Sequence, residues 1–78
     1  MTTYTGWNYR IIKKTVKEEV VYGVHEVFYD ASGSPKACTE SPVEPWGESL
    51  DELIADIERM RAAADKPTLN YDDFSHDE

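Results

Sequence analysis

Two stretches, "WNYRIIKKTV" and "VVYGVHEVFYD", each alternate apolar and polar residues and are rich in aromatic and β-branched side chains, with only a short polar "KEE" step about their junction. Side chains of a strand point to opposite faces in turn, so alternation of this length admits a strand with one buried face. Two such runs so close together admit little besides an antiparallel hairpin. A two-residue turn at Lys17 and Glu18 joins them in this reading. The next connection, "DASGSP", puts Ser32 and Gly33 at the centre of a second tight turn, where glycine takes a positive φ at no steric cost. "PKACTE" then returns as a short third strand.

Counting outward from both turns sorts the side chains. One face carries Trp7, Tyr9, Ile11, Val20, Tyr22, Val24, Phe28 and Ala37, interrupted by Lys13 and Glu26, and is expected to be the core face. The other carries Asn8, Arg10, Ile12, Lys14, Val21, His25, Val27, Tyr29, Lys36, Cys38 and Glu40. A single β-bulge would exchange the faces beyond it.

"ESPVEPWGE" has two prolines and a glycine, which exclude a central strand and fit an extended crossing segment with Trp46 as its anchor. "SLDE" matches a capping box: the Ser49 hydroxyl meets the Glu52 N–H, and the Glu52 carboxylate returns to the N–H of Ser49. A helix is expected over about residues 50–64, stopped by Pro67. Leu50, Leu53, Ile54, Ile57, Met60 and Ala64 follow the spacing of one buried stripe, with Asp51, Asp56, Glu58 and Arg59 facing water. A helix this short needs docking, and three strands about 4.8 Å apart match its width. The fold class is therefore α+β, a single small domain with a three-stranded antiparallel β-meander (strands about 7–16, 19–30 and 35–40) and one α-helix packed on one face. Residues 67–78 contain Leu69, Tyr71 and Phe74, which a purely solvating tail would not need, and are expected to fold back on the helix or sheet edge, with the last residues frayed.

Composition narrows the function. The chain has 78 residues, 40% hydrophobic and 31% charged, which fits a soluble globular domain with little room for a cofactor cavity. No apolar run reaches the length of a membrane span and no signal peptide precedes the first strand, so a cytoplasmic protein is expected. The lone Cys38 fits a reducing compartment and excludes an internal disulfide or cysteine-based zinc site. The net charge of −8 is lopsided: residues 1–39 sum to +1 and residues 40–78 to −9. Direct binding to nucleic acid is not expected on that ground, and a protein partner is favoured.

Several residue groups invite a chemical reading. His25, Cys38 and Glu40 share a face of neighbouring strands and outline a nucleophilic site, but a flat three-stranded sheet lacks the cleft and oxyanion donors such a site requires. No catalytic residue is assigned. "YDDFSHDE" gathers Asp72, Asp73, His76, Asp77 and Glu78 without the spacing of a calcium loop, so no metal and no cofactor is expected. The feature that points to function is the second sheet face. Ile12, Val21, Val27, Tyr29 and Cys38 form an apolar patch ringed by Arg10, Lys14, His25 and Lys36, with His25 counted among its partner-binding residues, and soluble monomers seldom leave such a patch unused. Either the C-terminal segment covers it or a second chain does, and an edge strand, "WNYRII" or "PKACTE", offers β-augmentation.

"NYRII", "HEVFYDASGSP", "ESPVEPWGESLDELIADIERM" and "KPTLNYDDF" together resemble a family of small bacterial proteins, over about residues 8–74. Its Glu-x-Pro-Val element is matched by Glu40, Pro42 and Val43, and "SHDE" lies outside its pattern. No activity is established for that family, so the resemblance implies no site residue. The expectation is a non-enzymatic protein-binding module, monomeric or homodimeric, that uses the sheet face or an edge strand. The alternative is an acidic mimic of nucleic acid, directed at a DNA- or RNA-binding protein through Glu48, Asp51, Glu52, Asp56 and Glu58.

Overall fold

The long hairpin forms as counted. In the computed structural model, which describes residues 4–74, strand β1 (Gly6–Val16) pairs antiparallel with β2 (Glu19–Tyr29), with Val16 opposite Glu19, Ile11 opposite Val24 and Trp7 opposite Phe28. Lys17 and Glu18 both take positive φ, 50° and 70°, the geometry whose twist matches that of the flanking strands.

The second connection is wider than a two-residue turn. Asp30 and Ser34 bracket it through Asp30 N–H to Ser34 O, and the Asp30 carboxylate accepts from the Ser32 hydroxyl and the N–H groups of Ser32 and Ser34. Those bonds, led by the Ser32 hydroxyl, hold its carboxyl below the usual range. Gly33 takes φ +84° as its position requires. Strand β3 (Pro35–Cys38) is shorter than the expected 35–40, and Tyr29 faces Pro35. A register shift between Phe28 and Tyr29 then absorbs the extra residue, so Ala37 meets Phe28 and Cys38 meets Val27. The face assignment beyond the bulge therefore survives.

The sheet has four strands rather than three and is mixed rather than antiparallel: a short fourth strand, β4 (Leu69–Asn70), completes the order β3-β2-β1-β4. It runs parallel to β1, opposite Ile12 and Lys13. The architecture remains α+β.

Helix α1 (Leu50–Ala62) is shorter than 50–64 and continues as a single 3₁₀ turn, Ala63–Asp65. Lys66, extended ahead of Pro67, ends it. Its cap is half of the expected box: Ser49 Oγ accepts the Glu52 N–H, but the Glu52 carboxylate accepts the N–H of Glu48 rather than of Ser49. The buried stripe is also rotated. Leu53, Asp56, Met60 and Ala63 turn inward, whereas Leu50, Ile54, Ile57 and Ala64 are exposed.

Each sheet face has its own core. On one, Met60 and Ala63 pack on Tyr9, flanked by Ile11, Val24 and Val43. On the other, Phe74 packs on Ile12 and Val27, flanked by Tyr29, Cys38, Leu69 and Tyr71. The segment after Pro67 passes around the β1 edge, where Arg10 Nη2 donates to Pro67 O and Arg10 Nη1 to Tyr29 Oη. A short 3₁₀ turn, Tyr71–Asp73, brings Phe74 over the sheet, while Lys14 lies over the Tyr71 ring and donates to Glu40 O. Gly23 matters here, because a Cβ on it would stand 2.9 Å from the Pro42 side chain that crosses beside it. The expected fraying of residues 75–78 falls outside the described residues.

Candidate protein-binding edge

The apolar face that the sequence offered to a partner is occupied by the chain itself. Ile12 and Val27 are fully buried and His25 is nearly so, Tyr29 and Cys38 are half-buried, and only Val21 is exposed. The expected uncovered surface is thus an internal core, and the reason is the return of Leu69, Tyr71 and Phe74.

The polar groups of that face are spent on structure. His25 Nδ1 lies 2.9 Å from Thr39 O, which as an acceptor fixes the ring proton on that nitrogen. Glu40 is exposed, and its backbone carbonyl accepts Lys14 Nζ. Burial pushes the Cys38 thiol above its usual range, only partly offset by Lys14, which disfavours the thiolate a nucleophile needs. Among the described residues no group of His, Cys, Asp and Glu is placed to hold a metal ion. His76, Asp77 and Glu78 lie outside them.

The acidic set divides as well. Glu48, Asp51, Glu52 and Glu58 face solvent, but Asp56 is 6% exposed and belongs to the interior. Its Oδ1 accepts the Tyr9 hydroxyl at 2.6 Å and Arg59 Nη2 at 3.1 Å, and its Oδ2 accepts the Trp46 N–H at 3.0 Å. The Tyr9 and Trp46 bonds hold the carboxyl below its usual range against the opposing effect of burial, with Arg59 helping. The same contact, after burial itself, pushes the Tyr9 phenol up to about 12. Trp46 thus anchors the crossing segment through its backbone, while its ring is exposed.

Among the described residues the first half of β1 is an open edge, as are the outer sides of β3 and of the two-residue β4. On the side away from β2, β4 reaches only Ile12 and Lys13, so among the described residues no strand neighbours residues 7–9 there. In the antiparallel ladder alternate peptide groups point outward; those of Glu26 and Val24 in β2 take Thr39 N and Val43 N, which by register turns the peptide groups of Trp7 and Tyr9 toward the open edge.

A groove of about 420 Å³ runs beside this edge, between β1 and the end of α1, walled by Trp7, Tyr9, Ala62 and Ala63 and rimmed by Arg59 and Lys66. The Trp7 ring meets Tyr9 edge-on at 5.2 Å and is half exposed. Small Ala62 and Ala63 keep the groove open where a longer side chain would fill it. Sequence reasoning named "WNYRII" as an edge candidate but missed the groove, because Trp7 read as core and the end of α1 could not be placed beside it.

No family model, no curated protein and no solved structure matches the chain. The resemblance seen in the sequence assigns a role to none of these residues, and function rests on the geometry. Among the described residues no helix is long and apolar enough to cross a membrane.

Proposed function

We propose that this domain is a non-enzymatic protein-binding module that takes an extended segment of a partner along the open edge of β1, with a partner side chain seated in the groove beside Trp7. The observation that carries the reading is the stretch of β1 at residues 7–9, which on its outer side has no partner strand among the described residues and lies against an apolar groove. Strand addition supplies backbone hydrogen bonds for affinity and side-chain pockets for selectivity, and both parts are present here. Both faces of the inner part of the sheet are already covered, around Tyr9 on one side and around Ile12 and Val27 on the other, which favours the edge over the face as the binding site. The nucleic-acid mimic is the weaker reading, since Asp56 is withdrawn from its charge array into the core.

The test is selection of displayed random peptides on the folded protein, followed by binding to two variants. Trp7→Pro removes an outward donor and the ring while leaving the β2 ladder intact, a substitution that edge strands tolerate. Ile54→Lys alters the exposed flank of α1 instead. Selected peptides are expected to lose binding with Trp7→Pro and keep it with Ile54→Lys. The opposite pattern, with both variants folded by circular dichroism, would transfer the site to the helix.

A further inference from the structure

We infer that the segment received at this edge is acidic: an extended peptide that presents an apolar side chain to Trp7 and a carboxylate to Arg59 and Lys66. The inference rests on the edge reading above and adds the chemistry of the partner. Residues 40–78 contain only three cationic side chains against twelve acids, yet two of those three, Arg59 and Lys66, rim this one groove. Arg59 is committed at Nη2 to Asp56, whereas Lys66 makes no ion pair among the described residues. Both are exposed, so a carboxylate can reach them without prior rearrangement.

The same cations argue against a second copy of this chain as the occupant. Pairing two β1 edges about a two-fold axis would bring Arg59 and Lys66 of each copy to the same junction, and like charges facing one another discourage that pairing. An acidic segment is attracted by the groove although the whole chain is negative, because at physiological ionic strength charges beyond about 8 Å are largely screened and the nearest ones decide.

In an extended peptide alternate residues share a face, so acetylated and amidated Thr-Val-Thr-Glu-Thr presents its valine and glutamate together, and Thr-Val-Thr-Lys-Thr is its charge-reversed control. Titration into the Trp46→Phe variant leaves Trp7 as the sole tryptophan reporter. The glutamate peptide is expected to bind at least about fivefold more tightly than the lysine peptide, with the preference lost in Lys66→Glu and reduced by salt. Equal binding of both peptides, abolished by Trp7→Pro when binding is followed by calorimetry, would overturn the acidic partner and leave the edge reading standing. No binding of either up to millimolar concentration would also overturn the inference, and the response of display-selected peptides to Trp7→Pro then decides the edge reading separately.

Discussion

Asp56 joins three elements at one carboxylate: Tyr9 from β1, the Trp46 peptide from the crossing segment and Arg59 from its own helix. Removing it strands a buried phenol and a peptide N–H together, so Asp56→Ala is expected to cost about 3 kcal/mol in urea denaturation. For a chain of this length that is a large fraction of a total near 4–12 kcal/mol. The pH dependence has a definite sign at each end. The Asp56 pKa is depressed in the folded state, so its contribution is complete above the unfolded value near 4 and is lost as pH falls through the folded one. The Tyr9 pKa is raised, so its contribution is complete below the unfolded value near 10 and is lost as pH rises toward about 12. Ultraviolet titration of the wild type minus Tyr9→Phe is expected to leave a component with a midpoint near 12. A midpoint near 10 in that difference would mean the Tyr9–Asp56 contact is absent in solution. None of this was legible in the sequence, where Asp56 sits among acids spaced like a solvated helix face; only the three donors that converge on it explain its burial.

Elements differ in how far local chemistry specifies them. The hairpin register follows from alternation and a two-residue break alone, and it forms although Lys17 and Glu18 both adopt the left-handed region, where a side chain costs about 1 kcal/mol each. Replacing them with Asn and Gly, which suit that turn, is expected to stabilise the protein by about 1 kcal/mol, read as a higher urea midpoint at unchanged slope. Strand β4 was not legible, because two residues of parallel pairing leave no periodicity and depend wholly on the long return of the chain to Ile12. The helix was legible in place but not in rotation: Leu50, Ile54 and Ile57 have the spacing of a buried stripe, yet the face that docks is set by Tyr9 meeting Asp56. Substitution separates the two faces. Phe74→Ala opens the core over Ile12 and Val27 and is expected to cost about 3 kcal/mol, whereas Ile54→Ala on exposed surface is expected to cost less than about 1 kcal/mol. Comparable costs at the two positions would mean that the stripe at Ile54, not the segment at Phe74, is buried in solution.

Across the whole molecule, a nearly neutral hairpin is wrapped by a strongly acidic second half. The residues that close the sheet on both sides, Met60 and Ala63 on one and Leu69 and Phe74 on the other, belong to the part of the chain with net charge −9. That half repels itself, and the topology limits the repulsion by placing the helix acids Asp51, Glu52 and Glu58 on one face and Asp72 and Asp73 beside the segment that covers the other. Two layers packed on opposite faces of a sheet lie roughly 20 Å apart, each about 10 Å from it. At that separation the two clusters interact when the screening length is about 30 Å, at 0.01 M salt, and scarcely at about 8 Å, at 0.15 M. Few attractive pairs oppose the effect, since Arg61–Asp65 and Lys36–Asp30 are exposed and long. Stability is therefore expected to rise with salt: the midpoint of thermal unfolding, followed by circular dichroism at neutral pH, should increase by about 3–6 °C between these two concentrations and then level off. A midpoint that falls over the same range would mean that attraction between the basic residues of β1 and the acidic wrap outweighs the repulsion within it, and the lopsided charge would then be part of what holds the two halves together.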